Sequence, residues 1–167
     1  MSVSFFKKIN YFRIIKWLIG IIMVLFLIIV GLFLWARQPL SSAKHQATTL
    51  AEKKVGIKSV DHFYMSDLNR TYYTIEGPNK DNQKQYVIIE KKTGNINVAN
   101  VKDGISSNKA KSIANQKQRI TKLISVAPTI FNEKPAWTVS YFNSKNELNY
   151  AVIDFKTGKV LRFIANV

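Results

Sequence analysis

The sequence predicts an α+β protein: an N-terminal transmembrane helix followed by two tandem units, each one helix packed on an antiparallel meander of about four strands. Three observations carry this expectation. A twenty-residue run without a charged side chain lies near the start, segments rich in β-branched and aromatic residues alternate with turn residues after it, and a shift of 64 residues superimposes two of those segments on two others.

From Trp17 to Ala36 the chain reads WLIGIIMVLFLIIVGLFLWA. At about 1.5 Å per residue this is enough to cross a hydrocarbon layer of about 30 Å. Trp17 and Trp35 stand near its ends, where indole rings settle among headgroups, and Lys7, Lys8, Arg13 and Lys16 precede it against Arg37 directly after it. That asymmetry predicts a cytoplasmic N-terminus and an extracellular remainder in a single-pass membrane protein. Ser41-Ser42-Ala43 is a small-x-small triplet that a signal peptidase could accept, but the run exceeds the usual length of a signal core and favours a retained anchor. Gly20 and Gly31 are too far apart for a small-residue dimer motif. The expected organisation is a basic N-terminus over 1–16, the span over 17–36, a first domain over 37–103 and a second over 104–167.

In the first domain, Ala43, Ala47, Leu50, Ala51 and Val55 fall at helical spacing, with Ser41 or Ser42 as N-cap and Gly56 as the stop. Strands are expected at 57–64, 71–76, 85–91 and 95–101, with turn chemistry from Gly77-Pro78 and the Asn and Asp residues between them. Asp103-Gly104 then breaks the pattern. A second helix starts at Ser106 or Ser107 with Ala110, Ile113 and Ala114 on one face, and strands follow at 121–127, 136–142, 149–155 and 159–164.

The 64-residue shift aligns Tyr86–Val98 with Tyr150–Arg162, giving five identities in thirteen positions, and also matches Tyr72–Ile75 to Ala136–Val139. Two segments at one offset indicate a duplicated helix-plus-sheet unit. Each copy is small and has no cysteine to staple it, so the two are expected to pack or pair their sheets. Tyr72, Tyr73, Trp137, Tyr141, Phe155 and Phe163 are the expected large core residues.

Absence of cysteine excludes disulfides, thiolate metal sites, a cysteine nucleophile and a lipidated cysteine. Two Ser-x-x-Lys tetrads, Ser41–Lys44 and Ser106–Lys109, and two Lys-Thr-Gly tripeptides, Lys92–Gly94 and Lys156–Gly158, raise the elements of a penicillin-recognising serine enzyme. Such a fold needs far more chain, Ser106-x-Asn108 overlaps a tetrad instead of occupying its own loop, and both Lys-Thr-Gly copies fall between paired strands. There, Thr-Gly supplies the positive φ of a hairpin loop. His45 and His62 have no second histidine at metal-ligand spacing, and Glu76, Glu90, Glu133, Glu147 and Asp154 form no pair that reads as an acid/base dyad. Glu90 and Asp154 occupy equivalent places beside the two turns. No catalytic, cofactor-binding or metal site is expected, no cofactor, and no binding residue is singled out.

Residues 37–167 carry 21 basic against 10 acidic residues. Lys53/Lys54, Lys91/Lys92, Lys109/Lys111 and the run from Lys117 to Lys122 form a solvated face or attract anionic lipid headgroups or wall polymers. Nothing sets apart a nucleic-acid-binding face.

The unit ending in VIDFKTGKV (Val152–Val160) resembles the PepSY-type repeat, whose last hairpin reads acidic, x, x, Thr-Gly, x, aliphatic. Over nearly its whole length the chain resembles the TseB/YpmB family of Gram-positive bacteria, in YYTIEG, YVIIEKKTGNI, VKDGISSNKA, KPAWTVSY and YAVIDFKTGKV. The resemblance implies two cystatin-like domains outside the membrane, no catalysis, and regulation of cell-wall elongation through contact with a penicillin-binding protein, an elongation transpeptidase. Two alternatives stand beside it: inhibition of a surface protease, since PepSY-type units also occur in peptidase propeptides, and binding of anionic wall polymer.

Overall fold

A computed structural model describes the backbone of residues 11–166 and the side chains of 15–34 and 40–166. Lys7 and Lys8, and the side chains of Arg13, Trp35 and Arg37, lie outside the described residues. The order is helix α1 (Tyr11–Val55), strands β1 (His62–Asp67), β2 (Thr71–Pro78), β3 (Lys84–Glu90) and β4 (Ile96–Asn100), a 3-10 turn (Val101–Asp103), helix α2 (Ser107–Lys117), and strands β5 (Lys122–Phe131), β6 (Lys134–Phe142), β7 (Leu148–Asp154) and β8 (Val160–Ile164). The strands form two antiparallel four-stranded meanders, β1-β2-β3-β4 and β5-β6-β7-β8. This is the expected α+β plan, with two sheets that do not join into one.

The described chain divides into a first part that ends at Ser42 and a compact unit, Ala43–Val167. Within the first part, Ile15–Leu34 is long and apolar enough to cross a membrane and none of it is buried. Helix runs through Ser41 and Ser42, so neither caps a new helix as expected from the sequence. Gly56 does end α1, its N–H donating to the carbonyls of Ala51 and Glu52, both at 3.1 Å.

Alternation decides what each face of the first sheet meets. Phe63, Tyr73, Ile75, Val87, Ile89 and Ile96 pack with Ala47, Leu50 and Ala51 of α1. The opposite face presents Tyr64, Tyr72, Tyr86 and Ile88 to a second core that contains Trp137, Val139, Tyr141, Ile153 and Phe155 of the second sheet and Ala110 and Ala114 of α2. The first sheet is therefore buried on both faces, which lets two small units share one interior. Tyr86 sets its edge against Trp137 at 5.5 Å and Phe155 at 6.0 Å between ring centroids. Burial and the nearby Glu76 charge push the Tyr86 phenol up to about 12.

Duplication is written in the strand registers. Tyr73↔Ile89, Thr74↔Ile88 and Ile89↔Ile96 in the first sheet become Trp137↔Ile153, Thr138↔Val152 and Ile153↔Val160 in the second, each displaced by 64. In α2 the expected cap is realised: Ser106 Oγ accepts from the Lys109 N–H at 3.2 Å, and Ala110 and Ala114 are buried.

Four expectations shift. Residues 57–61 are a connector, not the start of β1, because Ile57 is drawn into the α1 core while Lys58 and Asp61 donate to the carbonyls of Pro78 and Glu76 at 2.9 and 2.8 Å. Gly77 and Pro78 belong to β2, and the turn begins at Asn79, whose Oδ1 accepts from the N–H groups of Asp81 and Gln83, both at 2.9 Å. Strand β5 continues through Pro128. It is an edge strand that touches β1, β2 and β3, so the missing N–H breaks no ladder, and the Thr74 hydroxyl donates to the Pro128 carbonyl at 3.2 Å. Phe163 is 39% exposed on the opposite edge strand, where Val160 instead packs on the core.

Candidate functional site

Both Lys-Thr-Gly tripeptides are hairpin turns, β3–β4 and β7–β8, with Gly94 at φ 73° and Gly158 at φ 74°. Their chemistry explains the acidic-x-x-Thr-Gly pattern. In the first, Gly94 N–H donates to the Glu90 carbonyl at 2.8 Å and the Thr93 hydroxyl to Glu90 Oε2 at 2.8 Å. In the second, Gly158 N–H donates to the Asp154 carbonyl at 3.0 Å, and Asp154 Oδ1 accepts from the Thr157 hydroxyl at 2.7 Å and the Thr157 N–H at 2.7 Å. A short acidic side chain ties down the loop, and glycine supplies the left-handed backbone that closes it.

The Thr157 N–H foremost holds the Asp154 carboxyl below the usual carboxylate range, against the opposing effect of burial, helped by the Thr157 hydroxyl, the Lys156 N–H and the charge of Lys134. A depressed folded-state pKa contributes stability that is in place above the unfolded value, about pH 4, and is lost as pH falls through the lower folded value. Asp154→Asn keeps an acceptor oxygen at the turn, so thermal melts should show a shallower loss of stability below about pH 4 than in the parent.

The serine-enzyme elements are dispersed. Ser106 Oγ is occupied as a helix cap, Ser41 and Lys44 lie within α1, and the tripeptides serve turns. His45 is exposed on α1, whereas His62 Nδ1 approaches Glu76 Oε2 at 3.5 Å, where the Tyr64 hydroxyl also donates at 2.6 Å. Burial first, then that hydrogen bond and the Glu76 charge, push the Tyr64 phenol far up. Among the described residues no group of three or more His, Asp or Glu side chains could hold a metal.

What the fold does assemble is a cleft of 290 Å³ between the 68–70 turn of the first sheet and the β5–β6 hairpin of the second, lined among others by Asn69, Arg70, Thr129, Glu133 and Thr138. Arg70 Nη1 donates to Glu90 Oε1 at 3.2 Å, and Glu90 is only 6% exposed. A buried carboxylate therefore fixes an arginine at the rim. On the other side Asn132 and Glu133 form the hairpin tip at φ 47° and 63°. Thr138 Oγ1 is buried without a hydrogen-bond partner. Neither Arg70 nor Thr138 stands out in the sequence, because they come together only when β5 crosses the first sheet. The place of Glu90 beside a turn was legible.

A membrane-length helix followed by two meander-and-helix modules, joined through a common core and holding a polar cleft at their junction, defines a class of tandem-module proteins with an apolar N-terminal helix. Residues 46–90 match the family model for the cell wall elongation regulator TseB-like domain, and residues 104–163 match that for the peptidase propeptide and YPEB domain, PepSY. The chain thus carries a TseB-like domain followed by a PepSY domain. It is 27% identical to the probable cell wall elongation regulator TseB of Bacillus subtilis (strain 168) over 122 residues, 72% of this chain and 76% of that one. It is also similar to the solved structure of the YpmB protein from Bacillus subtilis, with a TM-score of 0.63, 25% identity and coverage of 72% of this chain and 95% of that one. The chain is a distant homologue of a cell wall elongation regulator.

Proposed function

We propose that the chain is a non-enzymatic, membrane-anchored regulator of cell-wall elongation that acts outside the membrane by binding a penicillin-binding protein. The observation that carries this reading is the pairing, in one chain, of an exposed apolar helix at Ile15–Leu34 with modules similar to a cell wall elongation regulator. Retention of the anchor draws support from Ser41-Ser42-Ala43, which lies in helix α1 and not in the extended form a peptidase would engage. The four cations before the apolar run support a cytoplasmic N-terminus.

Such a regulator needs surface and not chemistry. Ser106–Lys109 serves as a helix cap, Ser41–Lys44 lies inside α1 and the Lys-Thr-Gly elements form turns, which supports a contact function, and an anchor shared with the partner's membrane raises their effective concentration. Affinity purification of the full chain from detergent-solubilised membranes should recover an elongation transpeptidase. Recovery of a surface protease, with protection of that protease from autolysis, would favour the inhibitor alternative instead.

A further inference from the structure

The start of β5 carries an apolar pair that the fold leaves bare. Leu123 and Ile124 are 38% and 50% exposed and belong to neither core. A β-bulge sets Ile124 outward: Leu123 pairs with Tyr141 and Ser125 with Ser140, which leaves Ile124 as the extra residue of an edge strand. The first unit shows the same position covered. Displaced by 64, Ser125 and Ser140 become Asp61 and Glu76, joined by the Asp61 N–H, and Ile124 becomes Val60, which packs on the α1 core. Cations flank the bare pair. Residues 104–132 hold five basic residues and no acidic one, and Lys117, Arg119 and Lys122 stand exposed just before Leu123. Lys145 is exposed on the β6–β7 turn, which the Thr121 hydroxyl holds alongside by donating to the Asn143 carbonyl at 2.7 Å; Glu147 of that turn accepts from the Asn143 amide at 2.8 Å. The loop before β5 is preset, because the Ile120 N–H donates to Asn115 Oδ1 at 2.8 Å and the Thr121 N–H to the Phe142 carbonyl at 2.9 Å.

We infer that this tip, Lys117 to Ile124 with Lys145 beside it, docks on an anionic lipid surface, Leu123 and Ile124 entering the boundary between headgroups and acyl chains while the cations meet lipid phosphates. The combination selects this partner. An anionic polymer would engage the cations and leave both apolar side chains in water. An added peptide strand needs an unbroken ladder edge, which the bulge interrupts at this end of β5. A bilayer takes the apolar pair and the cations together and requires no pocket. Ile15–Leu34 of the same chain is long and apolar enough to cross a membrane, and such a span raises the local concentration of lipid, so a weak contact suffices. Docking draws on the span and not on the proposed transpeptidase, so the two can fail separately.

The chain has no cysteine, so Ile124→Cys accepts a single nitrobenzoxadiazole fluorophore. The labelled full chain is reconstituted into vesicles of phosphatidylcholine, with or without an equal part of phosphatidylglycerol, all containing the same share of lipid with nitroxide-bearing acyl chains, and quenching is read at physiological salt. Quenching should be about threefold or more greater with phosphatidylglycerol. Lys117→Gln/Arg119→Gln should lower it about twofold or more, and so should Leu123→Ser. Lys117 and Arg119 are both exposed, so their replacement should leave the melting temperature near that of the parent. Lys53→Gln/Lys54→Gln removes the same charge from α1 and should leave quenching unchanged. The same label at Val98→Cys, exposed on β4, should be quenched far less. Absence of quenching with phosphatidylglycerol, equal quenching in neutral vesicles, equal quenching from Val98→Cys, or an equal loss in the two lysine-region variants would each overturn the inference.

Discussion

Trp137→Ala should lower the unfolding free energy by about 3–5 kcal/mol. Trp137 is fully buried in β6, its Nε1 donates to the Ile105 carbonyl at 3.0 Å, and its ring meets the edge of Tyr86 from the other sheet. The side chain therefore does three things at once. It fills the second core, satisfies the backbone at the entry to α2, and supplies the surface on which the first sheet rests. Truncation leaves a cavity bounded by two separate sheets, neither of which can close over it without losing its own register. In a fragment of residues 43–167 the melting temperature should drop by roughly 10 °C or more. Trp137→Phe should fall between, since it keeps most of the ring but strands the Ile105 carbonyl. Because Trp137 is the sole tryptophan in 43–167, parent fluorescence reports the junction directly. A small loss in Trp137→Ala would mean that the modules do not depend on a common core.

Gly77→Ala is the second large effect, about 2–4 kcal/mol. A Cβ at 77 would collide with the Ser59 carbonyl oxygen and come within 3.0 Å of Ile57 Cγ2. The obstacle is backbone and cannot swing aside. The 57–61 connector is strapped to β2 on either side, by Lys58 N–H to the Pro78 carbonyl and Asp61 N–H to the Glu76 carbonyl, so making room breaks hydrogen bonds that cross the α1 core. Gly94→Ala is the control: its surroundings are open and only the left-handed backbone is penalised, at about 1–2 kcal/mol. Urea denaturation of both variants separates close approach from turn geometry. Equal losses would contradict this account of Gly77.

These two residues also mark what could be read in advance. Trp137 lies in a segment whose alternation announces a strand, and the register displaced by 64 was visible as Tyr86/Tyr150 and the paired Lys-Thr-Gly turns. Local rules sufficed there, as they did for the Ser106 cap and the Gly56 stop, because each involves residues within a turn or two of each other. Gly77 misleads for the opposite reason: Gly-Pro reads as a turn, whereas the constraint comes from Ser59 across a connector. Pro128 likewise ends a strand by local rules but is tolerated at an edge pressed on the other sheet. Ile57 and Val60 look like strand residues because burial against α1 selects the same side chains. The cleft was illegible throughout. Arg70, Glu90 and Thr138 share no spacing, and only the crossing of β5 over the first sheet brings the two hairpins together.

Contact with a wall-synthesis transpeptidase outside the membrane is the function we propose. The most direct measurement is photocrosslinking in living cells from a photoreactive residue placed at the exposed strand positions Val98 in β4 and Leu161 in β8, with the captured protein identified by mass spectrometry. Covalent capture of an elongation transpeptidase, lost when the probe is moved to the buried Val139, is the predicted result. Crosslinks from both exposed positions that contain a surface protease, or no wall-synthesis protein at all, would contradict it.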